Sequence, residues 1–270
     1  MTSPLSDRDH RASNATLQTI KSAPPESSGK ATGFTQNKGQ TRNRGTKMEQ
    51  RDSESTDAII QRLAERQAEG RTESKARLAA IERAMTPQWR ATMEAKITRL
   101  NSEASSPRSK LPKLYMLMEE VAAVRAPHLA CGPGCNACCR TIPVEISDLE
   151  ARHIAQATGR TMATLPPGRH TPALTGGPHV NTPCPFLVAD MCSIYEHRPY
   201  NCRSLAVVDR DALTCHEVNT NLTRTKDPRA VPVPMTKMQA FDPSYAALTN
   251  RAGTVWADIR QFFPAQSKST

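Results

Sequence analysis

The sequence predicts a mainly α-helical protein with long irregular loops around a cysteine cluster and a disordered N-terminal tail. Three observations predict this class. Apolar residues recur at helical spacing before the cysteines, the chain contains 21 prolines, and its start has almost no large apolar side chains. We expect a tail at residues 1–55, a charged helical segment with a linker at 56–109, and a cysteine-cluster domain with flanking helices at 110–265.

The predicted tail is rich in Ser, Thr, Asn, Gln, Gly and Lys. Such a segment buries too little apolar surface to offset the entropy lost on ordering, which favours disorder. Its first residues also lack the apolar run of a secretory signal, and no stretch of the chain has 18 consecutive apolar residues. These features favour a cytoplasmic protein without a membrane span.

The formal net charge of +10 raises nucleic acid as a second class of partner. Lys and Arg are, however, scattered among acidic residues, without a dense basic run or an aromatic-studded strand. The charge therefore supports nucleic-acid binding only weakly, and an ordinary solvated basic surface is the better explanation.

The helical pattern first extends from Ser55 to about Met85, where Gly70 is expected to weaken or split the helix. Thr86 followed by Pro87 is a helix start signal, because Thr can cap the free amides and Pro suits the first helical position. The next helix should end before a linker at Asn101–Ser109.

A third helix is expected to follow Pro112 and to end at Pro127. After the first cysteines, the stretch "SDLE" at Ser147–Glu150 matches a capping box. It predicts a short helix up to Thr158, with Gly159 as its terminator.

The residues from Pro166 to Pro178 are dominated by Pro and Gly and predict a loop. Two helical segments are expected to close the chain. The last has apolar residues along one side: Val255, Trp256, Ile259, Phe262 and Phe263.

All eight cysteines lie in two groups between residues 131 and 215, the first within "CGPGCNACCR". Short spacings let neighbouring thiolates converge on one ion, and the intervening loop can bring in further ligands. In a reducing cytosol such thiols favour metal binding, so we expect the loops to be organised around a cysteine-ligated metal site. A disulfide framework, a redox thiol pair and inert packing are the alternatives. The expected ligands are Cys131, Cys135, Cys138, Cys139, Cys184, Cys192 and Cys202.

Two cysteines have a special status in this prediction. Cys138 and Cys139 are adjacent, and neighbouring side chains of an extended segment point to opposite faces, so we expect only one of them in a given four-ligand site.

Other residues near the two cysteine groups are candidates for metal ligands, although surface roles are more common for such residues. They are His170, His179, His197, His216 and Glu145.

The stretches "CGPGCNACCR" and "CPFLVADMCSIYEHRPYNCRS" resemble the bacterial YkgJ family of cysteine-cluster proteins, which is described as zinc- or iron-chelating. The resemblance covers about Cys131 to Leu205, so Cys215 lies past it and is the least certain ligand. One departure is the three residues between Cys131 and Cys135, where the family signature has two.

The resemblance implies metal binding without an established reaction, and no catalytic residue is predicted. A related signature occurs in flagellin lysine N-methylases, which leaves an iron–sulfur-dependent enzyme as an alternative. The sequence has no Gly-rich nucleotide loop that follows a predicted strand. A second alternative is a nucleic-acid-binding module with structural zinc.

Zinc and iron, including an iron–sulfur cluster, both accept four thiolates, so the sequence leaves the metal open. Arg198 and Arg203 flank Cys202 and have two predicted roles. Their cations can offset the charge of a four-thiolate site, or they can form ordinary ion pairs with Asp190 or Glu196.

Overall fold

The computed structural model describes residues 54–170 and 182–264. Residues 1–53 of the predicted tail therefore lie outside the described ranges. The described part is mainly helical, as predicted. None of its helices is long and apolar enough to cross a membrane.

The first helices follow the predicted signals. Helix α1 (Thr56–Glu69) ends at Gly70, whose φ is 65°, and α2 (Thr72–Ala84) follows. Helix α3 (Pro87–Ser102) begins as predicted, with the Thr86 hydroxyl accepting a hydrogen bond from the third residue of the helix.

Helix α4 (Pro107–Arg125) begins earlier than predicted, so Pro112 lies inside the helix. The cause is a second, equally local start signal, because Ser106 caps the helix and Pro107 occupies a first-turn position. The linker between α3 and α4 is therefore shorter than the predicted Asn101–Ser109. A 3₁₀ turn, Ala126–His128, continues α4 towards the cysteines.

The N-terminal helices pack against the rest of the described chain. Met93 of α3 and Met118 of α4 lie in one core cluster with Tyr245, although a domain boundary is predicted at residue 109. In a second cluster, Leu63 of α1 packs with Leu222. The charged helical segment thus contributes apolar side chains to cores that it shares with later elements.

The central element of the second half is a three-stranded sheet. Strand β1 (Glu145–Ser147) pairs antiparallel with β7 (Val255–Asp258), and β2 (Gly168–Arg169) pairs with β7 in parallel. Helix α6 (Asp148–Thr158) follows β1, with the predicted Ser147 capping box and with Gly159 in the left-handed region.

The prediction of a last helix is wrong for its first half. Residues Val255–Asp258 form strand β7, and only Ile259–Phe262 is helical (α10). Val255 and Ala257 face the core, and Ala257 pairs with Ile146 of β1. Pairing with a distant strand overrides the local helical pattern here.

Short elements support the cysteine loops. They are α5 (Ala137–Thr141), β3 (Leu187–Val188), β4 (Met191–Cys192), a 3₁₀ turn at Tyr195–His197, α7 (Tyr200–Ser204), β5 (Leu205–Val207), a 3₁₀ turn at Leu213–Cys215, α8 (Glu217–Arg224), β6 (Met235–Lys237), a 3₁₀ turn at Gln239–Phe241 and α9 (Asp242–Thr249). Strands β3 and β4 form a hairpin whose turn residues Ala189 and Asp190 have positive φ, and β5 pairs with β6.

The capping box of α6 gives a first prediction. Replacement Ser147→Ala should lower the free energy of unfolding by about 1 kcal/mol, because the Ser147 hydroxyl accepts the Glu150 backbone N–H at 3.3 Å in a buried position. Urea unfolding measures the change. An unaltered unfolding midpoint and slope would show that this cap does not stabilise the helix.

Candidate metal centre

The cysteines reach the site from separate segments of the chain. Cys131 and Cys135 lie in the loop before α5, and Cys138 and Cys139 lie on α5 itself. The four remaining cysteines are placed by later elements. Cys184 precedes β3, Cys192 ends β4, Cys202 lies on α7 and Cys215 ends a 3₁₀ turn.

Hydrogen bonds join the two sequence groups of cysteines. The Cys184 backbone N–H donates to the Cys139 carbonyl at 2.7 Å. The Val207 backbone N–H donates to the Cys131 sulfur at 3.3 Å, just after the helix that carries Cys202. Segments that are far apart in sequence therefore meet at the thiols.

The thiols divide into two groups by their electrostatic interactions. We call Cys131, Cys135 and Cys215 the first thiol group, because each interacts with the others. The second thiol group also forms one connected set. It consists of Cys139, Cys184, Cys192 and Cys202.

Cys138 lies between these groups and interacts with members of both. It shares a hydrogen bond with Cys139 of the second thiol group, and it interacts electrostatically with Cys135 and Cys215 of the first. The eight thiols thus form one continuous network. That only one of Cys138 and Cys139 joins a given four-ligand site remains a prediction.

Burial favours the neutral form of most of these thiols. It raises the pKa of Cys184 to about 11 and that of Cys215 to about 12, and it raises the pKa of Cys202 well above its usual value. The hydrogen bond between Cys138 and Cys139 lowers the pKa of Cys138 and raises that of Cys139. A cation at the site would reverse the effect of burial, because it stabilises thiolates directly.

None of the eight cysteines forms a disulfide bond in the structure. As the side chains stand, no three Cys, His, Asp or Glu residues of the described ranges form a group that could hold a metal ion. The donor chemistry nevertheless suits zinc or iron, since both bind thiolates in sets of four.

The predicted non-cysteine candidates have other contacts. His197 packs edge to face against His153 at 5.6 Å between ring centroids, and Glu145 accepts a hydrogen bond from Arg169 at 2.9 Å. His179 lies outside the described residues. The other two histidines form hydrogen bonds between a ring nitrogen and a backbone atom of a nearby residue.

Arg198 and Arg203 form ion pairs, but with a partner that the sequence did not indicate. Both guanidinium groups donate hydrogen bonds to the carboxylate of Glu119 in α4, and the distance from Arg198 is 3.1 Å. Neither forms the ion pair predicted with Asp190 or Glu196. Arg198 also acts on Cys192, whose pKa is raised by burial and lowered in part by this guanidinium. Arg203 is therefore a structural residue, whereas Arg198 forms an ion pair with Glu119 and also acts electrostatically on Cys192.

An open cleft of about 690 Å³ borders the second thiol group. Its walls include Cys192, Tyr195 and His197. Arg160 also lines the cleft, with its guanidinium 4.6 Å from the centre of the Phe186 ring. The cleft thus combines a thiol, a cation and aromatic surface.

Together, these features define a cysteine-cluster domain with loops and short elements around its thiols. Residues 130–226 match the family model CxxCxxCC, described as "Putative zinc- or iron-chelating domain". This match confirms the resemblance drawn from the motifs. It extends beyond Leu205 and includes Cys215, so the expected limit of the resemblance was too narrow. No curated protein and no solved structure matches the chain.

Proposed function

We propose that this protein binds zinc or iron through its clustered cysteines and that the metal stabilises the loops around it. The observation that carries the proposal is the continuous network of eight thiols without a disulfide, drawn from segments on both sides of a long loop. The family match adds independent support for a metal-chelating domain.

The two thiol groups suggest how the cysteine ligands are divided between two metal sites. The second thiol group supplies four sulfurs, enough for one tetrahedral site. The first thiol group supplies three, and Cys138 would complete a second set of four. Under this arrangement Cys215 joins the seven predicted ligands, because it interacts with Cys135 and Cys138.

A structural role for the metal follows from the poor burial of the first cysteine segment. No residue from 131 to 142 is buried, although this stretch contains helix α5. Hydrophobic burial therefore contributes little to its order, and metal binding would supply folding free energy in its place.

The test is elemental analysis of full-length protein purified under anaerobic, reducing conditions, combined with thiol titration. We expect about two equivalents of zinc or iron if both sets of four are used, and thiols that react fully only after chelation. Less than about a tenth of an equivalent, with eight freely reactive thiols, would contradict metal binding. The reducing conditions reproduce the cytoplasm, the location that we propose for free thiols of this kind.

A second candidate is an enzyme that depends on an iron–sulfur cluster. The cleft beside Cys192 favours it, because a substrate bound there would lie next to the second thiol group. The same anaerobic sample separates the two functions. An iron–sulfur cluster requires visible absorption near about 400 nm together with iron and sulfide, whereas a zinc site gives a colourless protein.

A further inference from the structure

Arg125 is a buried cation without a hydrogen-bond partner for either of its terminal amino groups. It ends helix α4, its exposed fraction is only 3%, and both terminal nitrogens are inaccessible to solvent. Burial of an unpaired guanidinium is costly, because the group loses its hydration without receiving an acceptor in exchange. The described structure thus leaves its strongest donors without an anion.

A cysteine of the first thiol group acts electrostatically on Arg125. Cys131 follows it by six residues, beyond the 3₁₀ turn, and the two side chains interact electrostatically. Other arginines near the thiols differ in this respect, because Arg198 is paired with Glu119 and Arg260 with Asp258. Among the residues that the structure describes, none gives Arg125 such a carboxylate.

A metal-bound thiolate would provide the missing acceptor. A divalent ion with four thiolates carries a net charge of about −2, which is unfavourable in a partly buried site unless cations or donors are near. The guanidinium suits this task because it keeps its charge when buried and presents several N–H groups in a fixed plane.

We propose that Arg125 is a positioning residue that donates hydrogen bonds to the metal-bound thiolate of Cys131 and offsets part of the charge of the site. This inference rests on the proposed metal binding. It gives the first thiol group a specific cation and explains why a buried Arg125 has no carboxylate partner.

The substitution Arg125→Met separates this role from a structural one. Met fills similar space without donors or charge, so it should leave the stability of the metal-free protein unchanged or raise it. The affinity for Zn²⁺, measured by competition with a chelator of known affinity, should fall about 10- to 100-fold. Arg125→Lys keeps the charge without the planar pair of donors, so its affinity for Zn²⁺ should lie between those of the Met variant and the wild type.

A second readout concerns the sulfur itself. Hydrogen bonds to a thiolate reduce its nucleophilicity, so Cys131 in zinc-loaded Arg125→Met protein should be alkylated faster than in the loaded wild type, as mapped by mass spectrometry. Leu114→Ala is the matched control, because Leu114 lies in the core of the same helix and belongs to neither thiol group. It should lower stability without altering the zinc affinity of the folded protein.

The outcomes distinguish this inference from the function on which it rests. Equal zinc affinities and equal alkylation rates for the wild type and both Arg125 variants would overturn the role of Arg125 alone. A wild type that binds neither zinc nor iron would overturn the proposed function and this inference together. If the Met variant does not fold, the comparison of the Lys variant with wild type decides.

Discussion

Chelation of the bound metal is expected to increase tryptic cleavage after Arg140 by about 100-fold, relative to protein with free metal at about 100 times its Kd. Arg140 lies in the segment without buried residues, where an exposed ion pair with Asp190 is its side-chain contact. Cleavage requires local opening, and a ligand that binds only the closed form reduces the open population by this factor.

Arg152 is the internal control for this experiment. Its side chain is 62% exposed, more than that of Arg140, but helix α6 is fixed by buried residues such as Leu149 and Ile154. Cleavage after Arg152 should change far less on chelation. Mass spectrometry of the early fragments gives both rates from one digest. An equal rate after Arg140 with and without metal would contradict metal-dependent order in this segment.

The element ends that the sequence predicts correctly depend on local chemistry. Thr86 and Ser147 each cap the helix that follows within three residues, and Gly159 adopts the left-handed conformation that ends α6. These signals need no tertiary contact, which is why a single sequence suffices to find them. The early start of α4 is a similar signal at Ser106 that competes with the one expected after Pro112.

Strand β7 shows where local patterns fail. Val255, Trp256 and Ile259 fit a helical stripe, but the first two lie on a strand that pairs with β1 and β2. The partner residues in β1 lie more than 100 positions earlier in the chain. No pattern within the last segment carries information about a partner at that distance.

The candidate site likewise has features that the local sequence predicts and features that depend on tertiary packing. The cysteines and their spacings were sufficient to predict a metal-binding domain, and the family match confirms the resemblance. The association of Cys215 with Cys135 depends on tertiary packing, as does the ion pair between Arg198 and Glu119. The unpaired Arg125 could not be predicted either, because burial and the absence of an acceptor are properties of the folded chain.

The substitution Glu150→Ala is expected to reduce the free energy of unfolding by about 3–5 kcal/mol, the range typical for loss of one partner in a buried charged network. Glu150 is 1% exposed, and its carboxylate accepts hydrogen bonds from the hydroxyls of Tyr115 and Tyr245 and from the backbone N–H of Tyr200 and Ser147. Alanine would leave these buried donors without an acceptor.

This carboxylate also connects the core to the second thiol group. Its bond to the Tyr200 backbone, at 2.7 Å, holds the first residue of α7, which carries Cys202. Loss of the bond should therefore reduce the metal content as well as the stability.

Two variants make the Glu150 prediction specific. Glu150→Gln keeps one acceptor oxygen, so its free energy of unfolding should fall by only about 1–3 kcal/mol, because only part of the donor set is left unsatisfied. Glu120→Ala, which removes an exposed helical carboxylate paired with Lys96, should cost at most about 1 kcal/mol. Urea unfolding of the four proteins gives the order wild type, Glu120→Ala, Glu150→Gln, Glu150→Ala, from most to least stable. If Glu150→Ala were as stable as Glu120→Ala, the buried carboxylate would not be what joins α4, α6, α7 and α9 in the folded protein.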